Sequence, residues 1–583
     1  MSDLRYYNPA WIEPTDEVVR CDVCVYGASA AGVMAALAAA DEGLAVQLVQ
    51  PGGHIGGMTT GGLGWTDFGN KDAVGGAARR FYQALGTHYG KAEEWNFEPS
   101  AAQTILDREL RLSGITPRLF QYVDRVDVEN GRIVAARMLG GLTIEARVFI
   151  DASYEGDLMA IAGVPYHVGR ESNDQYGETL NGIQVRSPDD HNGDHHQFDS
   201  PVSPYRIDGD PASGLLPGIE DDDLTRRRGQ GDHRVQAYNF RICMTDDPGL
   251  RIDWQAPDDY DPADYVLLDR WLRLEKSAFN EQVPAQDGDL TRVRKFDKLP
   301  NRTPGGYWKT DSNNHGPVSS DFIGGSHRWP EASHFERESI FQAHVRWQQG
   351  LYYHIANADG IPDKYRRAYR RWGLSRDEFA ETNGWPHQLY VREARRMVGS
   401  HVVTEHDCLH RVRTRHSIGL ASYTMDSHHT CRFVRGEGVS ARVMNEGNVE
   451  VPPSEPFGID YGCVVPPRNS ISNLLVPVCL SASHIAYGSV RMEPVFMILG
   501  QSVGIAASLA IRDACDVQDV AYPMLKSRLL DAGQRLGAAA TTGTSKRGTD
   551  NSPVDIKGGF RRATPRPAHR RSRVAAGEAR SSD

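Results

Sequence analysis

Residues 23–57, VCVYGASAAGVMAALAAADEGLAVQLVQPGGHIGG, constrain the fold more than any other stretch: they read as strand, glycine turn, small-residue helix, second strand and second glycine turn. The apolar run around Val23 and Val25 suits a strand buried in a parallel sheet. Gly27 lets the backbone leave that strand in a conformation that a Cβ would obstruct. Gly32 allows the helix to lie close to the strand, and Ser29 stands where the usual fingerprint has its second glycine. The helix from Ala30 to Ala40 is almost wholly small or apolar. Its N-terminal N–H groups and dipole, next to Ala28 in the turn, make an anion site. This order is the phosphate-binding half of a dinucleotide fold, so an adenine dinucleotide is expected; the competing reading is an ordinary strand-turn-helix. Ser29 is small enough to admit a pyrophosphate and is expected to donate to a phosphate oxygen. Gln50 ends the second strand where an acidic residue normally binds the adenosine ribose, and its amide oxygen can still accept.

Which dinucleotide is settled further along the chain. The run from Gln50 and Pro51 through His54, Gly56, Gly57, Met58 and Thr59 to Trp65 resembles the FAD-binding flavoproteins of the glutathione-reductase structural class. That class places paired glycines over the pyrophosphate soon after the ribose-binding residue, which favours FAD over NAD. Residues 148–158, including Ala152, look like the strand and turn that return to such a domain. Residues 473–502, including Arg491, Met492, Pro494 and Val495, look like its closing strand and helix. With residues 385–396, these stretches resemble the bacterial FAD-dependent oxidoreductase family that includes proteins loosely labelled xanthan lyase. The resemblance covers most of residues 21–507.

It implies an α/β fold: a Rossmann-like FAD-binding domain with an inserted α+β substrate lobe. It also implies FAD contacts from the residues just named in the two glycine turns, at Ala152 and at the start of the closing helix. His54 occupies a place where related folds often put an arginine beside the pyrophosphate, so a hydrogen bond to FAD is expected. Asn130-Gly131 signals a tight hairpin, and because the strand entering that hairpin often touches adenine in this class, Val123 is a further candidate.

At 583 residues the chain exceeds one compact core. The expected organisation is an N-terminal surface arm (1–20), a first FAD segment (21–170), a substrate lobe (171–460), a final FAD segment with a C-terminal helix (461–536) and a disordered tail (537–583). A net charge of −11 argues against a general nucleic-acid partner. No apolar stretch reads as long enough to cross a bilayer, and the first residues lack the pattern of a signal peptide, so the expected location is the cytoplasm and no membrane partner is foreseen. Eight scattered cysteines suit free thiols. Cys21 and Cys24 form a C-x-x-C spacing but enter a strand, which favours a structural role over a redox or metal pair. The stretch 189–196, with His191, His195 and His196, reads as a solvated loop in preference to a metal site, and no metal is expected.

A flavin performs its own hydride chemistry, so the protein must position substrate, accept a proton and tune the ring. If the family arrangement holds, the helix starting at Glu493 and Pro494 faces the pyrimidine side of the flavin and offers its positive end there. Arg491 can add a full charge; its alternative role is a salt bridge to Glu493 or a neighbour. For the proton acceptor, His484 is the first candidate and His387 the second. Arg392, Arg395 and Arg396 can bind an anionic group or hold two lobes together by ion pairs. The expected function is an FAD-dependent dehydrogenase or oxidase that abstracts a hydride from a hydroxylated small molecule such as a sugar or polyol, with dioxygen one of the open choices of electron acceptor. The alternatives are a flavin monooxygenase or NAD(P)H-fed reductase, and a non-catalytic module that binds flavin or shuttles electrons.

Overall fold

The computed structural model describes residues 4–185, 196–274, 297–303 and 305–537. Most of the histidine-rich stretch, up to His195, and the tail from 538 lie outside the described residues. Strand β1 (Val18–Tyr26) runs parallel between β2 (Val46–Val49) and a strand at Thr143–Asp151. Between β2 and that strand, β3 (Val123–Glu129) and β4 (Arg132–Met138) form the expected hairpin, with Asn130 at φ 50° and Gly131 at φ 72°. These positive angles are what a two-residue turn between twisted strands requires. The strand Thr143–Asp151, β5, takes β4 antiparallel near its start and β6 (Leu474–Leu475) parallel near its end. The result is a mixed α/β sheet whose parallel strand ends converge on one edge, where a dinucleotide fold binds its ligand.

Helix α1 (Ala30–Asp41) packs on this sheet and is covered by α2 (Glu493–Arg512). A Cβ on Gly504 would lie 2.6 Å from the Ala35 carbonyl oxygen, and one on Gly500 would overlap that of Ala31. Backbone thus meets backbone between the helices, which is why α1 is built from alanine. α2 corrects one expectation: at 20 residues with a mean hydropathy of 1.8 it is long and apolar enough to cross a bilayer, yet its apolar window is wholly buried in the protein. A helix enclosed on every side needs an apolar surface all round.

Elsewhere, an antiparallel sheet orders Asp297–Arg302, Trp308–Ser312, Ile242–Thr245, Gly373–Ser375 and Arg251–Ile252. The helix His334–Asn357 opens on a capping box in which Ser333 and Glu336 satisfy each other's backbone N–H. The N-terminal segment docks on it: the N–H groups of Tyr6 and Tyr7 donate to Glu338 Oε2 at 2.7 and 2.9 Å. All eight cysteines are free thiols, and Cys24 is buried in β1.

Candidate active site

The first glycine turn has the geometry that its sequence requires. Gly27 sits at φ +90°, and a Cβ there would lie 2.5 Å from Ser153 N. A Cβ on Gly32 would overlap the Gly27 carbonyl oxygen. In the second turn, Gly56 and Gly57 also have positive φ, and a Cβ on Gly57 would overlap the Tyr154 hydroxyl. The turns are tied together: Gly56 N donates to Ala28 O at 2.6 Å, and Ala28 N donates to Gln50 Oε1 at 2.6 Å.

Between them opens a cavity of about 390 Å³ lined by Gly27, Ser29, Gln50, Pro51, His54, Gly57 and Ala152. The first-turn N–H groups of α1 have no intrahelical partner, and among the described residues the Ser29 hydroxyl accepts only from Gly32 N, at 3.3 Å. The cradle therefore fits an anionic pyrophosphate on backbone donors, and FAD fits the residues present.

Two of the expected contacts change character. The Ser29 hydroxyl donates its proton to Ala152 O at 2.7 Å, so it fastens the turn to β5 and leaves phosphate contact to the backbone. Gln50 spends its amide oxygen on Ala28 N and keeps only its NH₂ for a ribose. Val123 is a correction: it is buried in a second core cluster with Tyr26, Met138 and Phe149 and does not line the cavity. Phe120, at φ 58°, and Trp11 line it instead, with ring centroids 5.4 Å apart. The remaining expected cofactor residues, Ala28, Ala30, Gly32, Gly56, Met58, Thr59, Arg491, Met492, Pro494 and Val495, form the frame of the site without lining this cavity.

The closing segment joins that frame through Glu493, the first residue of α2. Glu493 accepts from Tyr154 Oη and from Thr59 Oγ1, both at 2.7 Å, while Tyr154 Oη accepts from Met58 N at 2.9 Å. Burial among neutral donors pushes the Glu493 carboxyl up to about 7. Arg491 does not pair with Glu493. It binds Asp426 Oδ2 at 2.9 Å and Tyr390 Oη at 2.9 Å.

The expected bases are placed differently from the reading above. His484 is 2 % exposed, and both ring nitrogens are engaged, Nδ1 by Glu393 at 2.8 Å and Nε2 by Ser427 Oγ at 3.0 Å. Both of its ring positions are thus occupied by side chains of the protein. His387 lines the dinucleotide cavity, stacked on His54 with centroids 3.6 Å apart and planes at 11°. Among the described residues neither of its ring nitrogens has a hydrogen-bond partner, and burial holds its pKa well below the usual histidine range. With Glu381, the two histidines bring ligand atoms within 4.8 Å of one another. The lone pairs of two nearly parallel, stacked imidazoles lie in their ring planes and do not converge on one ion.

Of the three arginines, Arg395 and Arg396 are ion-paired, to Asp157 at 2.7 Å and Glu171 at 2.8 Å. Arg392 pairs with Asp321 at 2.9 Å and stacks over Tyr390, its Cζ 4.8 Å from the ring centroid, while its Nε and Nη2 are buried without partners. Asp321 also holds His428 Nδ1 at 2.9 Å, and His428 Nε2 lies 3.3 Å from Asp426 Oδ2. A polar cluster thus surrounds Tyr390: Arg392, Asp321, His428, Asp426, Arg491 and Gln236.

Sequence reasoning named Glu493 only as the start of a helix and a partner for Arg491, and it missed His428 and the cavity residues Tyr154 and Glu155. The last two lie just beyond Ala152, in the turn that follows β5, and that nearness was the available signal. Glu155 is buried against Trp329 Nε1 at 3.3 Å, and burial raises its carboxyl to about 7.

The sequence pattern of the FAD dependent oxidoreductase family matches residues 22–529. The chain belongs to that family. A search of curated proteins finds no match. Among solved structures, this FAD-dependent oxidoreductase is similar in part to L-proline dehydrogenase from P. horikoshii, at 14% identity over 27% of this chain and 59% of that one, with a TM-score of 0.22. It is also similar in part to L-amino acid deaminase from Proteus vulgaris, at 13% identity over 28% and 55% with a TM-score of 0.22. For the flavin-dependent brominase Bmp2 the values are 16%, 26%, 42% and 0.21. The matched part spans less than two thirds of each of these proteins.

Proposed function

We propose that this FAD-dependent oxidoreductase is a dehydrogenase or oxidase that removes a hydride from the carbon beside a hydroxyl of a small molecule such as a sugar or polyol. The observation that carries the reading is the group of buried donors without acceptors around Tyr390: Arg392 Nε and Nη2, Arg491 Nε and Gln236 Nε2. Buried donors are costly unless paired, and a ligand with several hydroxyl oxygens offers each of them an acceptor. FAD, when bound, supplies the hydride-accepting ring. His428 takes the hydroxyl proton at Nε2. Its Nδ1–H donates to Asp321, which fixes the ring, and Asp426 stands ready to stabilise the imidazolium that forms. Arg491 compensates Asp426 and carries positive charge to the start of α2. The resemblance to proteins labelled xanthan lyase and a glutathione-reductase-type arrangement of FAD belong to the same reading.

The test is to mix the FAD-loaded protein anaerobically with a panel of sugars and polyols and to follow the flavin absorbance, then admit air. Bleaching by a hydroxylated compound supports the reading, and recovery in air assigns an oxidase. Bleaching by NAD(P)H alone, or by nothing, refutes it.

A further inference from the structure

A second cavity, of about 420 Å³, shares no lining residue with the dinucleotide cavity. Leu267, Val318, Phe322 and Trp347 form an apolar part of its wall, and Arg432 and His327 stand on its polar part together with Glu220, Asp264 and Arg346. Arg432 lies on the strand Cys431–Arg435. Alternation along that strand sends Cys431 and Phe433 into a small core with Ile183, Leu224 and Met444, and turns Arg432 to the opposite face.

There Arg432 is 4 % exposed, yet no carboxylate among the described residues lies within 4.0 Å of it. One nitrogen donates to Pro317 O at 2.9 Å, and Nε has no partner. Its nearest source of compensation, Asp321, is already bound by Arg392 and His428. The other charged groups of the walls are also committed: Glu220 pairs with Arg234, and Arg346 with Asp259. Asp264 stands by Arg346 on the wall formed by the segment before Leu267. Burial without a paired carboxylate pulls the Arg432 pKa down to about 10.

His327 adds a neutral donor. Val235 N donates to its Nδ1 at 3.3 Å, which leaves the proton on Nε2, and Nε2 is buried without an acceptor. A buried guanidinium with no counter-charge is costly in an isolated protein. A partly apolar chamber with an unpaired cation and an idle N–H donor on one side is the complement of an organic anion.

We infer that this cavity is a second ligand site, apart from the FAD cleft, for a small molecule with an anionic head on Arg432 and an aromatic or aliphatic body against Phe322 and Trp347. The head can be a carboxylate or a phosphate monoester, which share this chemistry.

The probes are benzoate, phenyl phosphate and the neutral benzamide, titrated into the FAD-loaded protein by calorimetry and by tryptophan fluorescence, with flavin absorbance recorded alongside. The site predicts saturable binding of benzoate or phenyl phosphate at least tenfold tighter than benzamide, with quenched tryptophan emission and an unchanged flavin spectrum; the tighter of the two anions names the head group. Arg432→Met and Arg432→Gln keep their flavin and lose at least tenfold in anion affinity. Equal binding of benzoate and benzamide, binding of neither anion, or binding that perturbs the flavin and survives in both variants overturns the assignment. The wild-type comparison of charged and neutral probes decides the matter even if a variant does not fold.

Discussion

Glu493 Oε1 accepts a 2.7 Å hydrogen bond from Tyr154 Oη, and this one contact joins the end of β5 to the start of α2. Because Tyr154 also accepts from Met58 N, three segments far apart in sequence meet at a single hydroxyl. Tyr154→Phe leaves Met58 N–H and one Glu493 oxygen unsatisfied in a buried place, at a cost of about 1–3 kcal/mol. The variant is expected to melt earlier and to retain less FAD through gel filtration, measured as the flavin-to-protein ratio.

Gly32→Ala sets a methyl group against the Gly27 carbonyl and separates α1 from the turn. FAD binding is expected to be lost in titrations that follow flavin fluorescence, while Gly43→Ala, where a Cβ meets nothing within 4 Å but φ is +82°, costs stability and leaves FAD binding intact.

Gln50 shapes the turn through its amide oxygen. Gln50→Glu preserves that acceptor and is expected to hold FAD as well as the parent protein or better, whereas Gln50→Leu removes it and weakens FAD at least tenfold. A dissociation constant for each variant checks the pair.

His428→Asn is expected to lower the rate of substrate-driven flavin reduction by about 10²–10⁴ and, because a base acts only when deprotonated, to remove the acidic limb of its pH profile. His484→Gln, altering a group whose nitrogens are both engaged inside the protein, lowers the melting temperature and leaves the shape of that profile unchanged.

Glu155 gives a pH dependence of stability with a defined sign. Its folded pKa, about 7, lies above the ordinary 4.5, so the folded state holds the proton more tightly. The resulting stabilisation is full below 4.5 and is lost as pH rises through about 7. Glu155→Gln, which mimics the protonated acid, is expected to reduce the loss of stability between about pH 5 and about pH 8 by ~2 kcal/mol. Denaturant melts at the two pH values measure the difference.

The dinucleotide half of the fold was legible because its determinants are local. Gly27, Gly32 and the alanines of α1 act on neighbours within one strand-turn-helix, and Asn130-Gly131 fixes its hairpin by itself. The site was less legible for physical reasons. A histidine after an apolar strand reads the same whether its nitrogens are free or already engaged, and Glu393, which engages His484, is distant in sequence. His428 is oriented as a base only by Asp321, 107 residues away along the chain. Val123 lies away from the cavity because its buried side chain packs with Tyr26, Met138 and Phe149, and a strand pattern does not show which partners a buried residue takes. The length and hydropathy of α2 describe a membrane span and a core helix equally well until its neighbours are known.

The most direct measurement is a structure of the FAD-loaded protein that locates the pyrophosphate and the imidazole nearest flavin N5. The account predicts the pyrophosphate on the backbone between Gly27 and Gly32, with His428 the nearest imidazole to N5. A pyrophosphate bound elsewhere, or His484 or His387 nearest N5, would contradict it.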